Sequence, residues 1–250
     1  MKATAQVRKQ AVRPDVTADA SAPAPSSHEW DLKRLGLRVP RSLRQARDLT
    51  TARRIVAAAE EIFAEQGLAG ARMDEIARAA KVNKALLYYY FRSKEELHRF
   101  VLVALFSQLR AGIEERDAAA LSPGKRLTAV IDNFFGFVVQ HPNYPRLVQR
   151  EMMNRGPSLD WIVSEYYRPM HARLVSTIEE GMAAGEFRKV DAQNMALTVI
   201  STMVFYFSAA PVLSRIVGGD ALHPREVSRR RLAVQDFLEH GLFRLGAGVQ

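Results

Sequence analysis

Three observations predict an all-α fold. Apolar residues recur at helical spacing from about residue 50 onward, no segment reads convincingly as a strand, and the periodic segments open on Ser, Asn or Asp and close on Gly or Pro. The 250 residues leave room for one large domain or two smaller ones. A hydrophobic content of 48% is enough to build a buried core. The chain holds no cysteine, which excludes disulfides and thiolate chemistry and suits a reducing compartment, so a cytoplasmic location is expected. The longest apolar run, "MALTVISTMVFYFSAAPVL" (Met195–Leu213), carries Ser, Thr and Pro and reads as a buried core helix rather than a membrane span. The start, "MKATAQVRKQAVRPDV", lacks the apolar centre of a secretory signal. There is no glycine-rich phosphate loop and no internal repeat.

Charge is unevenly spread. The net charge is +9, and residues 1–47 alone hold ten Lys/Arg against four Asp/Glu. Residues 48–97 balance at eight of each, and residues 98–250 carry eighteen against fifteen. Residues 1–47 therefore read as a basic, flexible extension with an Ala/Ser/Pro linker, "TADASAPAPSSHEW". Such a tail suits a polyanion, nucleic acid or an acidic membrane face, or is simply a solvated leader.

Helical periodicity begins after Thr50–Thr51. Ile55, Ala59, Ile62 and Phe63 form a core-facing stripe, and Gly67 ends the helix because glycine tolerates the left-handed conformation. In "MDEIARAA", Met73, Ile76, Ala77 and Ala80 share one face. "KV" makes a turn and Asn83 caps the next helix, on which Leu87 and Phe91 face inward together. Ser93 and Glu96 have capping-box spacing and start a fourth helix. Ser122 and Pro123 open another, which His141–Pro142 ends. Helical segments follow over 144–154 and 158–184, closed by Gly185. Asp191 caps a long apolar helix expected to reach about Pro211, "GGDALHP" is a loop, and Arg225–Leu245 forms the last helix.

Helix, tight turn, helix is the helix-turn-helix arrangement, whose second helix fits the major groove. That helix carries "VNKALLYYYF" (Val82–Phe91), with three consecutive tyrosines. A tyrosine ring can pack on sugar or a thymine methyl while its hydroxyl bonds a phosphate, at less entropic cost than a long lysine.

The stretch 52–102, "ARRIVAAAEEIFAEQGLAGARMDEIARAAKVNKALLYYYFRSKEELHRFVL", resembles the N-terminal domain of the TetR family of bacterial transcriptional repressors. The first-helix "AA" and "F" followed by Gly67, the "IA" of helix two, the Val-centred turn, "LYYYF" and "SKEEL" carry the resemblance in order and spacing. It implies an N-terminal three-helix helix-turn-helix domain over 48–108 and a larger α-helical ligand-binding and dimerisation domain over 109–250. It implies a DNA face of Lys84, Ala85, Leu86, Tyr88, Tyr89 and Tyr90, with Arg72 and Met73 at the start of helix two against the backbone and Lys94 on a phosphate. The family usually has Ser or Thr where Arg72 stands, Gly where Lys81 stands, and Gly-Thr where Ala85–Leu86 stand. Arginine cannot cap a helix as a hydroxyl does, and lysine is strained if the turn is left-handed.

The partners implied are double-stranded DNA, a second copy of the chain paired through the last two helices, and a small-molecule effector, with no membrane. The function implied is a ligand-responsive repressor on a pseudo-palindromic operator. An activator, or a DNA-binding relative without an effector, is the alternative. Candidate effector contacts are Phe134, Phe137, Met152, Trp161, Tyr166, His171 and Phe205. No nucleophile is paired with a base, the six histidines lack metal-ligand spacing, and no cofactor or catalytic residue is expected.

Overall fold

A computed structural model describes residues 46–116, 121–153, 156 and 158–243. The basic extension expected over 1–47 lies outside these residues, apart from its last two, which begin α1 (Ala46–Gly70).

The stripe of α1 does what its spacing implies: Ile55, Ala59, Ile62 and Phe63 are all buried. The helix kinks at Gly67, where φ is 72°, and a further turn runs to Gly70. In α2 (Met73–Ala79), Arg72 stands at the N-cap and makes no side-chain cap bond. Asp74 and Glu75 supply negative charge to the first turn instead. Lys81 takes φ 54° in the turn, the left-handed backbone that glycine adopts without strain. The Arg54 guanidinium holds that turn, donating from Nε to the Ala80 carbonyl at 3.1 Å and from Nη2 to the Lys81 carbonyl at 2.9 Å. Asn83 then caps α3 (Lys84–Tyr90), its Oδ1 accepting from Leu86 N at 2.7 Å. At α4 (Lys94–Arg116), Ser93 Oγ accepts from Glu96 N while Glu96 accepts from Arg92 N, one residue ahead of a standard capping box. Phe63, Ile76, Leu87, Phe91 and Leu97 close the head's core at 2% exposure or less.

The expected domain boundary between 108 and 109 falls inside α4, so one helix serves both head and body. The body adds α5 (Pro123–Gln140), α6 (Tyr144–Met153), α7 (Leu159–Ile162), α8 (Arg168–Ala183), α9 (Ala192–Ser208), α10 (Ala210–Val217) and α11 (Pro224–Gly241). Caps at Ser122 and Asp191 form as expected. Between α7 and α8 the chain makes a π-helical turn over Val163–Tyr167. Pro169 explains it: without an N–H it cannot bond the Glu165 carbonyl, and the ladder widens just ahead of it.

The expected single helix to Pro211 is two helices. α9 stops at Ser208 and α10 leaves it at a 74° bend, with Pro211 in the first turn of α10. Nor is the run wholly core. Ala196, Val199, Met203 and Phe207 are buried, while Leu197 and Phe205 are exposed. No single helix among the described residues is long and apolar enough to cross a membrane. α11 packs on α5, where Asp132 Oδ1 accepts from Arg231 at 2.6 Å and from Gln235 at 2.9 Å.

Candidate DNA interface and effector cavity

The starts of α2, α3 and α4 meet around an open groove of about 540 Å³ lined by Arg72, Met73, Lys84, Tyr88 and Lys94, together with Asp74, Arg92, Ser93 and Glu95. Lys84 is exposed and its Nζ lies 2.8 Å from Asp74 Oδ1. That hydrogen bond raises the Lys84 pKa and keeps the ammonium charged. Ala85 is exposed, Leu86 half-buried, and Tyr88 and Tyr89 are 41% and 60% exposed on the outer side of α3. Aromatic and cationic groups thus converge on one surface, as backbone-tracking interfaces require.

Two expected contacts need correction, Tyr90 and Met73, and a third, Lys94, has protein partners as well. Tyr90 is buried at 3% exposure. It lies three residues after Leu87 and beside Phe91, so helical spacing turns it inward with them. Met73 is also buried, at 8% exposure, although it borders the groove. Lys94 is half-buried, and its Nζ donates to the Ala69 carbonyl at 3.3 Å and the Ala71 carbonyl at 3.0 Å. It braces the α1–α2 junction while lining the groove. Arg92, which the sequence reading missed, is exposed in the groove, and its place one residue before the Ser93 cap was the available signal.

A second site is a cavity of about 80 Å³ in the body. Phe106, Leu109 and Ile113 of α4, Val130 and Phe134 of α5 and Tyr144 of α6 form part of its wall. Tyr166 and Tyr167 of the π turn, Met170 of α8 and Ile200, Met203 and Val204 of α9 complete its apolar surface, with Arg110, Glu165 and Arg173 as its charged groups. Tyr144 and Tyr167 hydrogen-bond each other, and burial drives both phenols upward, Tyr167 to about 12. They therefore stay neutral. The Tyr166 hydroxyl lies 3.1 Å from Ser107 Oγ.

Of the expected effector contacts, Phe134 and Tyr166 line this cavity and the others do not. Phe137 is core, tilted over His141 and edge-on to Tyr144. Trp161 stands behind Tyr166, edge-on at 5.3 Å. His171 Nε2 approaches the Gln193 carbonyl. Met152 and Phe205 are surface residues, 40% and 66% exposed. The remaining wall residues were missed because six separate segments supply them, a convergence that no local spacing encodes.

Cavity and head share α6. Tyr144, on the cavity wall, is its first residue. One turn and a half later, Arg150 donates from Nε to the Ala64 carbonyl at 3.1 Å and from Nη2 to the Glu65 carbonyl at 2.6 Å, both on α1. Beside this clamp His98 packs edge-on against Phe63 at 4.9 Å. Burial lowers the His98 pKa against the opposing pull of Glu151 and Glu95.

On the last helix, one of the two expected to pair, Val234 and Leu238 are buried in the chain's own core, as is Leu242 just after it. Phe237 and Leu232 point outward from α11, as Leu197 and Phe205 do from α9.

Two family descriptions match the chain: "Bacterial regulatory proteins, tetR family" over residues 55–99 and "Tetracyclin repressor-like, C-terminal domain" over 123–238. The chain is 31% identical over 174 residues to the transcriptional repressor SCO4008 of Streptomyces coelicolor, covering 68% of this chain and 86% of that protein. It is 26% identical over 195 residues to the transcriptional repressor NicS of Pseudomonas putida, covering 76% and 91%. The solved structure of the ketosteroid transcriptional regulator KstR2 of Mycobacterium tuberculosis matches with a TM-score of 0.62 at 20% identity, over 77% of this chain and 95% of that one, a likeness of fold.

Proposed function

The chain belongs to the TetR family and is a DNA-binding transcriptional regulator, and from that premise we propose that it is a cytoplasmic, homodimeric repressor that releases its operator when a small molecule enters the body cavity. The α6 linkage carries the reading: Tyr144 walls the cavity and Arg150 grips the C-terminal carbonyls of the α1 helix. A ligand that swells the cavity displaces Tyr144, α6 moves, and the head follows through the Arg150 clamp. Such a shift needs a ligand that binds the two arrangements unequally.

Tyr88, Tyr89, Lys84, Arg72 and Arg92 are assigned to DNA. Two heads reach successive major grooves about 34 Å apart. Leu197, Phe205, Leu232 and Phe237 supply the apolar faces that a second copy covers on α9 and α11. The presence of a cavity favours an effector-responsive protein over an effectorless relative.

The test places a duplex selected by the full chain upstream of a reporter. Output should fall when the chain is expressed, and small molecules should restore it. A Val130→Phe variant, with the cavity filled, should repress without being relieved. A rise in output on expression would mark an activator, and relief of Val130→Phe by the same molecules would remove the cavity from the mechanism.

A further inference from the structure

The residues of α3 that are not core divide into two groups. Lys84 and Tyr88 line the groove formed with the starts of α2 and α4, where Lys84 Nζ lies 2.8 Å from Asp74 Oδ1. Ala85, Leu86 and Tyr89 are not among its walls. At about 100° per residue, Ala85 and Tyr89 stand one turn apart on the side of the helix away from the buried Leu87 and Tyr90. Leu86, three residues before Tyr89, flanks them. Ala85 is exposed, Leu86 half-buried and Tyr89 60% exposed. The Tyr89 ring packs edge-on against the buried Tyr90 at 5.6 Å, which anchors it. Of these three side chains only Tyr89 carries a hydrogen-bonding group, its terminal hydroxyl. Ahead of them, Asn83 Oδ1 is taken by the Leu86 N–H that it caps.

Resting on the assignment of α3 to the major groove, we propose that Leu86 and the Tyr89 ring, with the Ala85 methyl beside them, determine specificity by apolar contact with the C5-methyl groups of thymine. Major-groove edges are distinguished by their donors and acceptors and by that methyl, and an alkyl or aryl surface can recognise only the methyl. Pressed on a cytosine, the same surface covers an amino group that then has no partner, which costs free energy. The pairs beneath residues 85–89 are therefore A·T. Lys84 and Tyr88, on the groove side, hold the helix to the backbone without choosing a sequence.

The test takes the duplex that the full chain selects and replaces its thymines, one symmetric pair at a time, with deoxyuridine, which keeps every hydrogen-bonding group and lacks the methyl. Anisotropy titrations at fixed salt should show, for at least one pair, a loss of about fourfold per methyl, the scale of one buried carbon, and so about fifteenfold for the pair. Leu86→Ala and Tyr89→Ala should each abolish the loss at the thymine that the residue covers. Tyr89→Phe, which keeps the ring, should retain it, and circular dichroism checks the helicity of every variant. Replacing the purines with 7-deazapurines, which lack the N7 acceptor, should cost less than about twofold. Unchanged affinity for every deoxyuridine duplex, or a larger loss from 7-deazapurines or from Tyr89→Phe, would overturn methyl reading while leaving α3 in the groove. A deoxyuridine penalty that survives in full in Leu86→Ala and Tyr89→Ala would mean that the methyls are read elsewhere, and the assignment of α3 to DNA fails instead.

Discussion

Head and body both use tyrosine, in opposite ways. On α3, Tyr88 and Tyr89 stand 41% and 60% exposed beside Lys84, with rings and hydroxyls turned to solvent. Around the cavity, Tyr144 and Tyr167 are bonded to each other and held neutral by burial. The same side chain is an adhesive surface where the backbone presents it outward and a neutral wall where helices enclose it. The head's surface is organised by neighbours in sequence: Asn83 caps α3, Ser93 caps α4, and Arg54 staples the turn between α2 and α3. The cavity is organised by helices up to about a hundred residues apart.

The contrast has energetic consequences, the largest in packing. Leu87 is fully buried among head side chains, so Leu87→Ala should cost about 2–5 kcal/mol in denaturant unfolding. Val130 borders the cavity, and Val130→Phe should change stability by no more than about 1 kcal/mol, because the added atoms enter open space. Equal losses for the two would mean that the cavity is packed as tightly as the head.

A smaller effect is expected at the outer face of α3. Tyr88→Ala should lower operator affinity by about tenfold, near 1.4 kcal/mol, without changing helicity. Lys84→Ala should weaken specific and random duplexes alike and reduce the salt slope by about one. Anisotropy titrations at matched salt measure both, and unchanged binding in both variants would move the interface off α3.

His98 probes the junction between the two regions. Its folded pKa is lowered by burial, so below the ordinary value of 6.5 the unfolded chain takes up a proton that the folded one resists. Its contribution to stability is therefore present above that pH and declines as pH falls through and below it. The thermal midpoint of the wild type should drop between pH 7.5 and 5.5, and His98→Gln should drop less over that interval. Identical pH profiles would assign the acid sensitivity to other groups, His141 among them, which burial also shifts downward.

The smallest change is at the turn. Lys81→Gly relieves a left-handed backbone at the expense of unfolded-state entropy, and a net gain of about 0.5–1 kcal/mol is expected. A loss would show that the lysine side chain contributes more than its backbone costs.

Much of the head was legible in the sequence. Its caps, the Gly67 break and the Leu87–Phe91 pair are local features with short, residue-specific signals. Tyr90 was misplaced although Leu87 lies three residues before it, because a run of three identical aromatics invites a common role that the helix does not allow. Lys94 was placed on a phosphate by the resemblance, and only the structure shows the two carbonyls it serves. In the body, helix starts were readable at Ser122 and Asp191, but the 74° bend after α9 and the π turn before Pro169 were not. Phe205 and Met152 matched the chemistry of a pocket and lie on the surface, because composition does not say which face of a helix meets its neighbours.

The most direct measurement is selection of bound sequences from a random duplex pool by the full chain and by Tyr88→Ala in parallel. The wild type should recover a pseudo-palindrome whose half-site centres lie one helical turn, or a multiple of it, apart. Tyr88→Ala should recover the same sequence with weaker enrichment or none. Wild-type recovery of no common sequence, or of one without two-fold symmetry, would contradict a dimeric reader that docks through α3.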